Sequence, residues 1–193
     1  MPEQPHKKRR KRFTDVKREQ VPRVCQGDIF RDIAVVESFL HNGDDVEIHQ
    51  ILFPLIIVLT QDCDLEQDYT VRTNPEPETH DKKLFSVLVA PLYNFDHVRT
   101  GEHLLDLELR MQKIGSDTTN NMRNNQIPRY HYLEFSDDIP IPPAIIDFKH
   151  YFSVNLEYLR DMKPTHFLCK VAELYREDVS HRFASFLSRI GLP

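Results

Sequence analysis

The sequence has few cysteines and no long apolar run. Its three cysteines among 193 residues are an odd number, which does not form a disulfide framework, and none belongs to the CxxC pair of a structural zinc site. No apolar run approaches the roughly 20 residues that span a membrane, and no apolar stretch follows the basic N-terminus as in a secretory signal. We therefore expect a globular, cytoplasmic protein with reduced thiols and no membrane partner.

Basic residues are concentrated in the first 23 positions. This segment has nine lysines and arginines against three acidic residues, a net charge of +6, whereas the whole chain carries −5, which leaves −11 for the remainder. We predict a disordered arm over 1–23 and a single domain over 24–193. Because a cation that neutralises a phosphate releases counterions, the arm is a candidate nucleic-acid contact, the alternative being a solvated tail. The predicted contacts are Lys7, Lys8, Arg9, Arg10, Lys11 and Arg12.

The run FPLIIVLTQDCDLE at 53–66 predicts a buried strand that ends at a polar rim. Five aliphatic residues, Leu55 to Leu59, follow Pro54 without alternation. A continuous run of this kind is typical of a strand buried on both faces. The strand therefore delivers the polar segment 60–64 to a rim, where rigid scaffolds commonly present functional groups.

The remaining pattern predicts a mainly β, small barrel of the α+β class. Leucines with charges between them predict a helix over 101–115, within an insertion at about 100–127, and 61–82 is predicted to be a loop. Apolar residues on one face predict a C-terminal helix over 174–190, while 166–174 is compatible with strand or helix. Folded structure is expected to start near Val21. The predicted strands are 28–37, 46–51, 54–60, 84–92, 129–135, 144–148 and 151–154.

Several of these segments resemble the PemK/MazF-like family of bacterial toxins. The resemblance covers most of 24–191 and implies an SH3-like barrel, the fold with which that family generally cleaves RNA without a metal. The family's arginine before the strand proline is Phe53 here, and Leu92 stands near the place of its threonine or serine. Since that arginine would stabilise developing negative charge, the resemblance implies the fold and not the activity. The matching pieces are Gly27-Asp28, Pro54 with LIIVLT, Val87 to Pro91, Ile145-Ile146-Asp147 and Ile190-Gly191.

Three residues are available for RNA cleavage by this barrel. Thr60, Arg129 and His131 would supply a hydroxyl, a cation and a general base. Tyr130 is predicted to stack on an unpaired base, the alternative being an ordinary half-buried strand. RNA or another nucleic acid is therefore the first expected partner.

Two further hypotheses concern the acidic segment. Asp62, Asp64 and Glu66 offer oxygen ligands for a magnesium- or calcium-type site, the alternative being a solvated acidic loop. Cys63 would be a nucleophile if a histidine lowered its pKa, the alternative being an inert, buried thiol. A different class of function, a non-catalytic module that binds a protein partner, also fits the barrel, and no cofactor is predicted.

Overall fold

An eight-stranded antiparallel sheet, curled into a half-barrel, is the centre of the fold. A computed structural model describes residues 13–43, 45–74 and 80–189. Within them the strand order is β1-β8-β2-β3-β4-β6-β5, and β7 also pairs with β4. The expected α+β class with a C-terminal helix is confirmed. The strands are β1 (Val16–Lys17), β2 (Asp28–Asn42), β3 (Asp45–Val58), β4 (Ser86–Asn94), β5 (Tyr130–Leu133), β6 (Ala144–Asp147), β7 (Phe152–Asn155) and β8 (Phe167–Val171).

Helices cover both faces of the sheet. The helices in the described residues are α1 (Asp62–Thr73), α2 (Phe95–Thr100), α3 (Ser116–Arg123), α4 (Leu156–His166) and α5 (Glu173–Leu187). Ile57 of β3 packs in the cluster that contains Val179 and Phe183 of α5, whereas its neighbour Ile56 packs in the cluster that contains Leu65 of α1 and Leu159 of α4. The prediction that this strand is buried on both faces is therefore confirmed, and each fully buried aliphatic side chain stabilises the fold by about 1.5–3 kcal/mol.

Strands β2 and β3 extend beyond the sheet as a long hairpin. β2 pairs with β8 only over Asp28–Phe30, and β3 pairs with β4 only over Ile56–Val58. The two strands remain paired with each other out to Asn42 and Asp45. Asp32 has a left-handed backbone (φ 53°).

A buried ion pair anchors β2 to α4. Lys163 Nζ lies 2.6 Å from Asp28 Oδ2 and also donates to the Arg23 carbonyl, and the two side chains are only 2% and 1% exposed. Asp28 Oδ2 also accepts a hydrogen bond from the Cys25 amide at 2.8 Å. Burial raises the pKa of Asp28, and the Lys163 charge opposes that shift.

Three predictions about local structure are wrong. Residues 13–23 are not part of a disordered arm, because β1 pairs with β8 and Thr14 is buried. The predicted loop 61–82 contains helix α1, whose first turn carries Asp62 and Asp64, where carboxylates favour a helix N-terminus. Segment 101–115 is irregular except for a 3₁₀ turn at Leu105–Leu107, and the inserted helices are α2 and α3. The undecided segment 166–174 is strand β8 followed by the start of α5.

Candidate functional site

The structure does not bring the predicted catalytic trio together. Thr60 Oγ1 accepts a hydrogen bond from the Leu88 amide at 2.7 Å, so its hydroxyl joins the end of β3 to β4. Arg129 precedes β5, which is separated from β3 by β4 and β6, about 14 Å along the sheet at 4.8 Å per strand. His131 is 2% exposed, and burial together with the Arg182 charge lowers its pKa to about 3. A side chain so enclosed does not fit the predicted role of general base.

The predicted metal ligands do not converge. Asp62 is bound by Arg23 at 2.9 and 3.0 Å and by Arg176 at 3.2 Å. Burial raises its pKa, but the hydrogen bonds from Arg23 and the Gln26 amide, together with the charges of Arg23 and Arg176, outweigh burial and lower the pKa to about 2. Asp64 and Glu66 are exposed on α1, where residues two apart lie on different faces. Among the described residues no group of three or more histidine, cysteine or acidic side chains is placed to hold a metal ion, so the proposed ligand set is wrong.

The other predicted residues have separate outcomes. Cys63 is exposed rather than buried, and its Sγ contacts the oxygens of Asp64 (3.6 Å) and Gln61 (3.9 Å), so the neighbours in these contacts are acceptors and not an imidazole. Tyr130 is half-buried beneath Arg129, whose guanidinium carbon lies 5.0 Å from the ring centroid. The predicted nucleic-acid contacts of the arm, Lys7, Lys8, Arg9, Arg10, Lys11 and Arg12, lie outside the described residues.

A chain of polar side chains forms where β6 ends and β5 begins, and it reaches Tyr93 of the neighbouring β4. Arg129 binds Asp147 through both carboxylate oxygens, with Nε 2.8 Å from Oδ1. His150 Nε2 lies 3.8 Å from Asp147 Oδ2, and its Nδ1 lies 3.0 Å from the Tyr93 hydroxyl. With the proton on Nε2, toward the carboxylate, Nδ1 accepts from Tyr93. The order of the strands therefore builds an Arg129–Asp147–His150–Tyr93 network.

His103 extends this network from the insertion. Its ring centroid lies 4.9 Å from that of Tyr93 and 6.5 Å from that of His150. His103 has a hydrogen bond with the His97 backbone, while its Nδ1 is buried and without a hydrogen-bond partner. Burial lowers the pKa of both His103 and His150, so both rings are neutral at neutral pH. His103 therefore adds a neutral ring to the network, with its Nδ1 enclosed by the protein.

Two cavities meet at His103. The larger, of about 580 Å³, is mostly apolar and is called the apolar cavity here. The smaller, of about 410 Å³, contains Lys113 and Arg129 and no carboxylate, and is called the cationic cavity. The apolar cavity is lined by Ile51, Leu52, Phe53, Pro54, Leu55, Pro91, Leu92, Tyr93, Asn94, His97, Glu102, His103, Leu104, Leu105, Asp106, Leu107 and Pro142. The cationic cavity is lined by Val98, His103, Met111, Gln112, Lys113, Ile114, Gly115, Thr118, Arg129 and Tyr130.

The cationic cavity is suited to an anion. Besides Lys113 and Arg129, it is lined by Gly115 and Thr118 from the start of α3. Gly115, at the N-cap, has no side chain that could accept hydrogen bonds from the first amides of this helix. Backbone amides at a helix N-terminus carry a positive partial charge that favours anions. The arrangement can therefore hold an anionic group beside the neutral His103 ring.

Sequence reasoning singled out Arg129 and Tyr130 but missed the rest of this site. Asp147 lies in the predicted strand 144–148, Tyr93 directly follows the predicted strand 84–92, and His103 falls in the segment predicted as a helix. The one local signal was the clustering of polar residues at strand ends, at Tyr93-Asn94 and at Asp147. That signal does not show which strand ends are adjacent.

The comparisons with known proteins give no family: the sequence matches no protein-family model and no curated protein. In the described part of the chain, no helix has the length and apolar character needed to cross a membrane.

Proposed function

We propose that this protein binds single-stranded RNA at the two cavities and cleaves it without a metal. The observation that carries the proposal is the position of His103, a neutral imidazole between an apolar cavity and a cationic one. A nucleotide has the same order of parts: a flat, largely apolar base, a ribose and a phosphate. The PemK/MazF resemblance concerns the fold and stays a prediction, so the activity is proposed from the residues of the site.

The apolar cavity would hold the base. Single-stranded bases bind proteins by stacking on aromatic rings and by hydrogen bonds to their polar edges. Tyr93 and His103 offer ring surfaces in this cavity, and Asn94 and Glu102 offer an amide and a carboxylate. The volume of about 580 Å³ falls in the range of small-molecule pockets, about 300–1,000 Å³.

The cationic cavity would hold the scissile phosphate. Lys113 and Arg129 supply positive charge there, and Asp147 holds the Arg129 guanidinium through two hydrogen bonds, which raise the pKa of Arg129 and keep it charged. Fixed cations stabilise the negative charge that develops on the phosphate oxygens in the transition state. In this proposal Arg129 is still the cation that stabilises negative charge, but it acts with Lys113 and His103 and not with Thr60 and His131.

His103 would act as the general base. Its imidazole ring, which lines both cavities, takes the proton of the ribose 2′-hydroxyl on a ring nitrogen as the 2′-oxygen attacks phosphorus. The bond from phosphorus to the 5′-oxygen breaks, and that oxygen takes a proton from water. The products are a 2′,3′-cyclic phosphate and a free 5′-hydroxyl. An RNA substrate agrees with the cytoplasmic location expected from the sequence.

The test is cleavage of a labelled RNA oligonucleotide by the full chain in the presence of EDTA. The wild type should cleave and leave a 2′,3′-cyclic phosphate, and a 2′-deoxy residue at the cleaved position should block the reaction. Removing a general base lowers a rate by about 100-fold or more, so His103→Asn should lose that much activity. Arg129→Gln should also lose activity through lost charge stabilisation.

A matched control is His181→Asn, which changes an exposed histidine on α5 and should leave the rate unchanged. The rate of the wild type should rise with pH through a midpoint below the ordinary histidine value of about 6.5, because burial lowers the pKa of His103. Equal rates for His103→Asn and the wild type would overturn the assignment of the base. Absence of cleavage in EDTA by a folded wild type would overturn the activity.

A further inference from the structure

The outer part of the β2–β3 hairpin has two chemically different faces. Directly paired residues of an antiparallel ladder lie on the same face, and faces alternate along each strand. The register pairs Phe39 with Ile48 on one face and Leu40 with Glu47 on the other. The apolar residues of the first face are called the apolar stripe here: Val36, Phe39, Val46, Ile48 and Leu52, which are between 52% and 64% exposed, with the exposed His41 and Gln50 on the same face.

The opposite face is acidic near the turn and apolar farther in. Its outer residues are Ser38, Leu40, Asp45, Glu47 and His49, and its inner pair is Val35 and Ile51. Residues 32–52 contain no lysine or arginine, and their carboxylates are Asp32, Glu37, Asp44, Asp45 and Glu47. A large apolar patch on a protein surface marks an interaction site, and the negative charge around this one indicates the sign of the partner.

Among the described residues, no strand pairs with the outer edge of β3. From Asp45 to Leu55 this strand has β2 as its one described neighbour, because its pairing with β4 begins at Ile56. On the β2 side, the Tyr158 hydroxyl already donates to the Ala34 carbonyl at 3.0 Å. An exposed strand edge presents unpaired N–H and C=O groups that bind an extended peptide by strand addition. Pro54, which has no N–H, sets the inner limit of that edge.

We infer that the outer edge of β3, between Asp45 and Phe53, binds a strand of a protein partner in which apolar and basic residues alternate. In an added strand, every second side chain lies beside the apolar stripe, next to Val46, Ile48 and Leu52. The intervening side chains lie beside Asp45 and Glu47, where lysine or arginine forms opposite-charge cross-strand pairs. The alternation of the two faces along β3 and the negative charge near the turn therefore both favour a partner strand in which apolar and basic residues alternate.

Three other occupants fit less well. A second copy paired antiparallel over the same edge would place Asp45 opposite Phe53 and Glu47 opposite Ile51, so neither carboxylate would gain an opposite-charge cross-strand partner. The basic residues 7–12 of this chain contain no apolar side chain to cover the stripe. Nucleic acid would meet negative charge on the hairpin.

The test measures binding of a fluorescent peptide in which valine and lysine alternate to the full-length protein, by anisotropy. Binding should weaken as salt is added, and a valine–glutamate peptide should bind at least about tenfold more weakly, a difference of 1.4 kcal/mol. The double variant Phe39→Ser/Ile48→Ser should lose binding by a similar factor. A valine–lysine peptide with methylated backbone nitrogens should not bind, because strand addition needs its N–H groups.

The matched control is Phe85→Ser, which removes a large apolar side chain that is 89% exposed outside the hairpin and should leave peptide binding unchanged. Equal binding of the lysine and glutamate peptides, or equal binding by the double variant and the wild type, would overturn the inference. The inference would also be overturned if light scattering showed a dimer of the wild type that the double variant does not form. RNA binding that is lost in the double variant and kept in Phe85→Ser would overturn it as well. The RNA cleavage rate of the double variant should equal that of the wild type, so this result and the fate of the proposed activity are independent.

Discussion

Replacing Lys163 with methionine tests whether the buried ion pair with Asp28 stabilises the fold. Methionine keeps most of the apolar stem of lysine but removes its charge, and water does not reach either partner, since they are 2% and 1% exposed. The Asp28 carboxylate would keep the Cys25 amide as a donor but would lose its counter-charge. Breaking one side of a buried ion pair typically costs about 3–5 kcal/mol, and we expect a loss of unfolding free energy of that size at neutral pH.

The pH dependence of this loss identifies its cause. Burial already raises the pKa of Asp28, and Lys163 opposes the shift, so in Lys163→Met the folded-state pKa rises further. A carboxyl whose pKa is raised on folding stabilises the protein below its unfolded pKa, and this contribution is lost as pH rises through the folded pKa. The deficit of the variant should therefore shrink in mild acid, by about 1.4 kcal/mol per pH unit over which folding takes up the proton.

The assay is urea unfolding of wild type and Lys163→Met at neutral and mildly acidic pH. The double variant Asp28→Asn/Lys163→Met, which buries no charge, should recover part of the lost stability. A deficit under about 1 kcal/mol at neutral pH, or one that does not change in acid, would refute the reasoning.

Three further predictions follow from burial. Cys63 should react with a thiol reagent in the native protein, whereas Cys169, whose pKa burial raises to about 12, should react only after unfolding; equal native reactivity would contradict this. Burial lowers the pKa of His131 to about 3. Between pH values of about 6.5 and 3 the unfolded state binds a proton that the folded state does not, so the free energy of unfolding falls as the pH drops. His131→Leu should reduce this pH dependence in urea titrations, and an unchanged dependence would count against the prediction. Phe183→Ala should cost about 3–5 kcal/mol, while Leu174→Ala, at a 75% exposed position of the same helix, should cost under about 0.5 kcal/mol; similar losses would contradict the assigned core.

The strands were predictable because burial leaves a direct pattern in the sequence. Ile56 and Ile57 are buried on opposite faces of the sheet, and such a strand has no room for polar alternation. The pattern does not reveal helix α1, because only three of its residues are buried: Leu65, Asp68 and Val71. Two apolar residues are too few to show a helical period. Its signal was instead the spacing of Asp68 and Arg72, which form an i,i+4 ion pair.

The helix predicted over 101–115 fails because of backbone geometry. Gly101 ends α2 with a left-handed φ of 81°, and a Cβ added there would lie 2.2 Å from the Met111 carbonyl oxygen. The chain therefore folds back on itself, with Met111 donating to the Gly101 carbonyl at 2.9 Å. A leucine-rich period does not reveal such a close approach.

The candidate site depends on contacts that no local pattern contains. Tyr93 and His150 meet because β4 pairs with β6, although 57 positions separate them in the sequence. His103 joins them from an irregular segment. Strand order, which decides which rim residues become neighbours, is a property of the whole chain.

Leu52 belongs both to the apolar stripe and to the lining of the apolar cavity. A strand added along β3 would cover this side chain and narrow the cavity mouth beside it. Binding of a partner and binding of a ligand would then be coupled thermodynamically, and each would weaken the other by the same factor. The projecting hairpin would in that case serve as a competitive control on access to His103, set by the concentration of the partner.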